Sequence, residues 1–279
     1  MKKLLVRIAT GAAFAIILLA SILYNKVSFG ALFLLVTLLS VNEFCSITKK
    51  YKATTFNTWL TVLGGGYLFF ATFMIFHGAK QVNPLTMYSP YIAIVAYTFV
   101  RQLFDTESKP LDNYAYFTLS QVYVALPLAL LNILATVGAE EGSTYSWLLP
   151  ITIFLFIWCN DTGAFFVGCS IGKHKMFERI SPKKTWEGFI GGTVVTIAAG
   201  VAMSYIFDTM NIWQWMGMAA VVVAAGTLGD LVESSMKREM EIKDSSNILP
   251  GHGGMLDRFD STLLAIPCVL VYLNLIGIL

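Results

Sequence analysis

Charge is what this chain has little of. Only 13% of its 279 residues are Asp, Glu, Lys or Arg, while 56% are apolar. Soluble domains carry roughly a quarter charged residues, so with a mean hydropathy of +0.68 an ordinary soluble domain is excluded. The net charge of +2 says little as a total, and no nucleic-acid partner is expected. Cysteine is scarce and unpatterned. Cys45, Cys159, Cys169 and Cys268 sit in or beside apolar runs without CxxC or ligand-like spacing, which excludes a disulfide framework or a zinc site and leaves packing residues. No internal repeat or low-complexity tract stands out.

What the chain has in abundance is apolar runs of about 20 residues, the length that crosses a bilayer as a helix. Nine are present, at roughly 4–24, 28–47, 57–77, 87–104, 114–136, 146–168, 188–207, 213–233 and 259–278. The first is too long for the apolar core of a signal peptide and is expected to stay as an anchor. With the N-terminus in the cytoplasm, seventeen Lys and Arg residues fall on the cytoplasmic side and only Lys26 and Lys80 on the other, a positive-inside pattern. The expected fold class is all-α: a polytopic integral membrane protein of about nine transmembrane helices, N-terminus cytoplasmic. It reads as one membrane domain over 1–279, with 1–137 mainly scaffold helices and 146–279 carrying the chemistry. Gly64-Gly65-Gly66 and Pro127 lie within spans and read as close packing and a kink.

Where charge does occur, it is concentrated. The stretch 234–260, SSMKREMEIKDSSNILPGHGGMLDRFD, holds nine of the chain's charged residues in 27 positions. On a helix, Asp230, Glu233 or Ser234, and Lys237 form one polar stripe at the end of the eighth span. Asp257 and Asp260 share a face at the start of the ninth. If those spans are neighbours, Asp230 and the Asp257/Asp260 pair converge, and clustered hard oxygen ligands favour Mg²⁺ or Mn²⁺. The alternative is salt bridging to Lys237, Arg238 or Arg258. Pro250-Gly251-His252-Gly253-Gly254 lets the backbone turn sharply and approach a ligand closely.

Two further stretches are candidates. Asn160-Asp161 closes an apolar run at membrane depth, where an ionisable side chain is costly and marks a polar cavity or a buried pairing. Residues 172–192 form the loop between the sixth and seventh spans. There Ser181-Pro182-Lys183-Lys184-Thr185 offers two ammonium groups, two hydroxyls and free backbone donors before a helix that begins near Trp186-Glu187-Gly188, a place suited to anions. The plainer reading is a basic loop attracted to anionic lipid. Glu43, beside Asn42, either acts in the chemistry or reaches the interface next to Lys49 and Lys50.

Together these residues resemble the phosphatidate cytidylyltransferase family. Its signature, S-x-hydrophobic-K-R-x4-K-D-x-small-x2-hydrophobic-P-x-H-G-G-hydrophobic-x-D-R-hydrophobic-D, is met without a gap from Ser234 to Asp260. The stretches NDTGAFFVG, SPKKTWEG and GDLVES also look like that family's. The N-terminal half carries no matching motif. The resemblance implies transfer of CMP from CTP to phosphatidic acid, giving CDP-diacylglycerol and pyrophosphate in phospholipid biosynthesis. It further implies Mg²⁺, with a second cation allowed for, membrane lipids as surroundings, a homodimer, and a bacterial plasma (inner) membrane location with the active site facing the cytoplasm. Catalysis would fall to Asp230, Asp257, Asp260, Lys237 and Arg258, the three aspartates holding the metal. Substrates would meet Asn160, Asp161, Ser181, Lys183, Lys184, Thr185, Glu187, Ser234, Arg238, Lys243, Asp244, His252, Gly253 and Gly254. A CTP-dependent polyprenol kinase is the nearest rival, and a transporter the rival of another class. The D-G-x2-A-R-x8-G-x3-D-x3-D pattern of CDP-alcohol phosphotransferases is absent.

Overall fold

The computed structural model describes residues 2–52, 54–78, 82–105, 109–249, 251 and 253–279. Lys80, Pro250 and His252 therefore lie outside the described residues. Among the described residues the structure is mainly helical, with one small hairpin. Its helices are α1 (Lys2–Tyr24), α2 (Lys26–Lys52), α3 (Thr58–His77), α4 (Pro84–Arg101), α5 (Pro110–Leu119), α6 (Leu126–Leu134), α7 (Leu148–Ile171), α8 (Trp186–Ile206), α9 (Ile212–Glu239) and α10 (Leu256–Leu275). Among the described residues six helices are long and apolar enough to cross a membrane: α2, α3, α5 joined to α6, α7, α8 and α9. The apolar runs at 4–24, 87–104 and 259–278 are also helical, as α1, α4 and α10.

Helix ends follow local chemistry. Asn57 starts α3 by accepting a hydrogen bond from the Leu60 amide (3.1 Å), and Asn83 followed by Pro84 starts α4, both standard ways to begin a helix. Between α5 and α6 the chain makes a π-helical turn, Ser120–Ala125. Pro127 follows it directly; its missing N–H and its ring disturb the backbone pairing one turn earlier.

The chain divides into two compact units. One comprises residues 1–147 with 240–259, the other residues 148–239 with 260–279. In the first, α3 packs against α2, α4 and α6. Lipid tails are as apolar as leucine, so close packing, not exclusion of water, holds such helices together. Gly65 is closed on by Val41 and Ala125, and a Cβ there would lie 3.0 Å and 3.1 Å from them, which accounts for the glycine run as packing. Phe259, fully buried, brings the first turn of α10 into this unit, with its ring 5.9 Å from Phe14 and 6.2 Å from Phe33.

In the second unit α7 and α8 form an antiparallel helical pair in close contact. A Cβ on Gly163 would meet the Gly192 Cα at 3.0 Å, and one on Gly192 would meet Asn160 Oδ1 at 2.4 Å. Small residues here let two backbones touch. The expected open loop between these helices is instead a hairpin in its central part: β1 (Lys175–Phe177) pairs antiparallel with β2 (Ser181–Thr185). Part of the backbone that the sequence left as free donors is thus used in the ladder.

Candidate active site

The acidic and basic residues of the second unit are placed by its helix contacts. Gly229 on α9 lies against α10, where a Cβ would meet the Asp260 carbonyl at 2.7 Å and Leu264 Cβ at 3.2 Å. The glycine before Asp230 lets the two helices close. The result is a cluster in which one carboxylate oxygen from each of Asp230, Glu233 and Asp260 lies within 4.8 Å of the others. Like charges so close are unfavourable without positive partners, and two lysines supply them. Lys184, from β2, pairs with Asp230, and Lys237 Nζ lies 2.6 Å from Glu233 Oε2. Ser234 Oγ donates to Asp230 Oδ1 (3.2 Å). The polar stripe on α9 is real, and Glu233, almost fully buried, is its inner member.

Beside Lys184 lies a cavity of about 230 Å³, lined among others by Asn160, Asp161, Phe165, Lys183, Thr185 and Phe189. Thr185 begins α8, its Oγ1 accepting from the Gly188 amide (3.1 Å). Asp161 is exposed, consistent with a polar cavity. Asn160 Oδ1 is buried and accepts no hydrogen bond among the described residues. Two expected substrate contacts are engaged elsewhere in this unit. Glu187 accepts from the Lys173 and His174 amides (3.2 Å each) and meets His174 Nδ1 at 2.5 Å, tying the hairpin's entry to α8. Arg238 Nε donates to the Ile180 carbonyl (3.3 Å). Ser181 is half-buried at the start of β2.

The first unit holds the rest of the signature stretch. Asp257, buried, accepts from the Gly254 amide (2.7 Å) and from the Ser245 amide (3.0 Å to Oδ2, 3.2 Å to Oδ1). Gly253 has φ +86, and a Cβ there would stand 2.6 Å from Asp257 Oδ2; the left-handed conformation and the close carboxylate both call for glycine. Lys243 and Asp244 line a second cavity of about 450 Å³, with Lys50, Tyr51 and Ser246. Arg258 is exposed. His252 lies outside the described residues. One residue that the sequence left undecided is central here: Glu43 of α2, buried, bonds the loop before α10. Its only sequence signal is a carboxylate at the end of an apolar run.

An all-α chain with several helices fit to cross a membrane, and with three clustered carboxylates, two of them paired to lysines, one of which lines a small cavity, has the make-up of an integral membrane protein with a charged polar site. Comparison with known proteins is more specific. The profile of the cytidylyltransferase family matches residues 5–276. A phosphatidate cytidylyltransferase of Bacillus subtilis (strain 168) is 31% identical over 269 residues, 94% of this chain and 94% of that protein. Phosphatidate cytidylyltransferases of Staphylococcus aureus (strain COL) and Staphylococcus haemolyticus (strain JCSC1435) are 49% and 46% identical over 121 residues, which is 43% of this chain and 46% of each relative. The matched region thus spans about half the length of the staphylococcal relatives. The chain belongs to the cytidylyltransferase family, as the signature stretch led us to expect.

Proposed function

We propose that this chain is a nucleotidyltransferase that transfers CMP from CTP to phosphatidic acid, releasing pyrophosphate and forming CDP-diacylglycerol. The observation that carries the reading is the Asp230–Glu233–Asp260 cluster, with Lys184 and Lys237 against it, beside the cavity of the second unit. The names of the relatives, above all the one aligned over nearly the whole chain, support the same substrates.

The donor set fits a hard cation such as Mg²⁺: three carboxylate oxygens, one from each residue and all within 4.8 Å of one another, with no sulfur or imidazole in the cluster. Asp230, Glu233 and Asp260 would hold it. When bound, the ion would neutralise phosphate charge and lend Lewis acidity. Asp257 belongs to the first unit, where it accepts from the Ser245 and Gly254 amides, and a role for it in turnover is kept as part of the proposal.

In the reaction an oxygen of the lipid phosphate forms a bond to the CTP α-phosphorus, while the bond from that phosphorus to the bridging β-phosphate oxygen breaks and pyrophosphate departs. A phosphate monoester is largely ionised near neutral pH, so no strong general base is required. The protein's task is to offset charge and hold the groups in line. Lys183 and Lys184 offer ammonium groups at the cavity, and Thr185 a hydroxyl. A cavity of about 230 Å³ is below the usual range of roughly 300–1,000 Å³ for whole small-molecule sites. It suits a glycerol-phosphate head group, with Phe165 and Phe189 toward acyl chains. Lys237 is held on Glu233, poised to follow charge as phosphates arrive. The N-terminus and the site face the cytoplasm of a bacterial plasma membrane on this reading, all nine apolar helices cross it, and the protein is a homodimer.

The test is direct. Purified protein in detergent, given CTP labelled at the α-phosphate, phosphatidic acid and Mg²⁺, forms lipid-linked CMP and pyrophosphate. Release of CDP with a phosphorylated lipid would identify a kinase instead, and no product from folded protein would end the proposal.

A further inference from the structure

Glu43 takes no part in the chemistry above, yet it is only 2% exposed near the C-terminal end of α2. A carboxylate is buried at such a place at high cost unless its oxygens are fully bonded. They are. Oε1 accepts from the Met255 amide (2.9 Å) and Ser246 Oγ (2.6 Å), and Oε2 from the Leu256 amide (2.8 Å) and Ser245 Oγ (3.0 Å). Met255 and Leu256 stand where α10 begins, and the first amides of a helix have no partner within it. A cap normally comes from a side chain just before the helix. Here the preceding residue is Met255, whose side chain offers no oxygen acceptor, and the cap is delivered from a different helix far away in the chain. Gly254 has to be glycine for that: a Cβ would lie 2.4 Å from Glu43 Oε2 and 2.0 Å from Ser245 Oγ. The same loop is held from its other side. Ser245 gives its hydroxyl to Glu43 and its amide to Asp257, which also accepts from Gly254.

We propose that Glu43 is a positioning residue for cytidylyl transfer. Its carboxylate sets where α10 starts, and with it Ser245, Ser246, Gly254 and the first-turn residues Asp257 and Arg258. This rests on the function proposed above. Its negative charge at the start of a helix is favourable to the helix, so the contact can be strong without meeting substrate.

The experiment compares full-length wild-type protein with Glu43→Gln in detergent, with CTP, phosphatidic acid and Mg²⁺. The amide keeps one acceptor oxygen and turns an NH₂ group toward two donors. Misplacement of reacting groups by a fraction of an ångström to one ångström lowers kcat by about 30- to 100-fold, while KM for both substrates stays within about threefold, since Lys183, Lys184 and Thr185, the groups proposed to bind at the cavity, make no bond to Glu43. Hydrogen exchange at Met255 and Leu256 accelerates about tenfold or more as the cap is lost, with little change in the global unfolding temperature. Wild-type kcat per folded molecule in Glu43→Gln would overturn the proposal, as would a rise in KM at unchanged kcat. If Glu43→Gln does not fold, Ser246→Ala decides: it removes one of the four bonds, and a kcat lowered about threefold at constant KM supports positioning, whereas unchanged kcat overturns it. A wild-type protein that makes no lipid-linked CMP sinks the functional reading instead, and the exchange measurement still reports on the cap.

Discussion

The two compact units keep their carboxylates by opposite means. In the first, Glu43 and Asp257 are buried among neutral donors, the backbone amides and serine hydroxyls of one loop. Each carboxylate there fixes the backbone. In the second, Asp230, Glu233 and Asp260 are crowded against one another and balanced by the mobile charges of Lys184 and Lys237. Hydrogen bonds to ordered amides are geometrically demanding and resist exchange of partners. An ammonium group on a flexible stem gives up its partner more readily when an anion or cation arrives. The first arrangement suits a frame; the second suits the site proposed above, where a bound cation would relieve the crowding.

The largest effect should come from removing one of the crowded charges. Asp260→Asn is expected to lower turnover by about 10³-fold, the scale on which lost charge stabilisation acts. The folded protein should not suffer, because one member of a repelling group is gone. Its unfolding temperature is expected to stay level or rise, and to show no further rise on adding Mg²⁺, whereas the wild type's is expected to rise through ligand linkage. A marked loss of stability would show the cluster to be structural and would break the contrast between the units.

Asp257→Asn reverses the pattern. The amide nitrogen it introduces faces backbone N–H groups of Ser245 or Gly254, leaving a buried donor unsatisfied, which costs about 1–3 kcal/mol. Thermal or denaturant unfolding in detergent measures this, and activity falls with it. Undiminished stability together with lost Mg²⁺ response would move Asp257 from the frame to the ion.

These contrasts could be read from the sequence only in part. The apolar runs are dense enough that helices over 28–47, 57–77, 146–168, 188–207 and 213–233 follow from hydropathy and length alone, and α2, α3, α7, α8 and α9 occupy them. The stripe from Asp230 to Lys237 follows from helical period. Residues that depend on long-range contact were out of reach. Glu43 meets Ser245 across 202 positions, and nothing local to Asn42-Glu43 specifies that partner. Glu233 could not be ranked above Ser234, since the period allows both and only the close approach of α9 and α10 at Gly229 selects the inner one. The β1–β2 hairpin was invisible for another reason. Lys175–Phe177 and Ser181–Thr185 are only three and five residues long, without the sustained alternating apolar pattern that marks a strand.

The smallest effects isolate how much of the first unit's rigidity is conformational and how much comes from Asp257. Gly253 and Gly142 both have left-handed backbone, φ +86 and φ +83, but a Cβ at Gly253 would stand 2.6 Å from Asp257 Oδ2, while one at Gly142 would meet nothing within 4 Å. Alanine at either position carries the cost of a side chain in that conformation, about 1–2 kcal/mol. Gly142→Ala should show that cost alone, as a modest drop in unfolding temperature with kcat and KM unchanged. Gly253→Ala should show it plus displacement of the Asp257 carboxylate from the Ser245 and Gly254 amides, and so lower kcat as well. Equal stability losses with equal, undiminished activity would mean that the loop tolerates movement of Asp257. The first unit's carboxylates would then be less exacting than their hydrogen bonds imply.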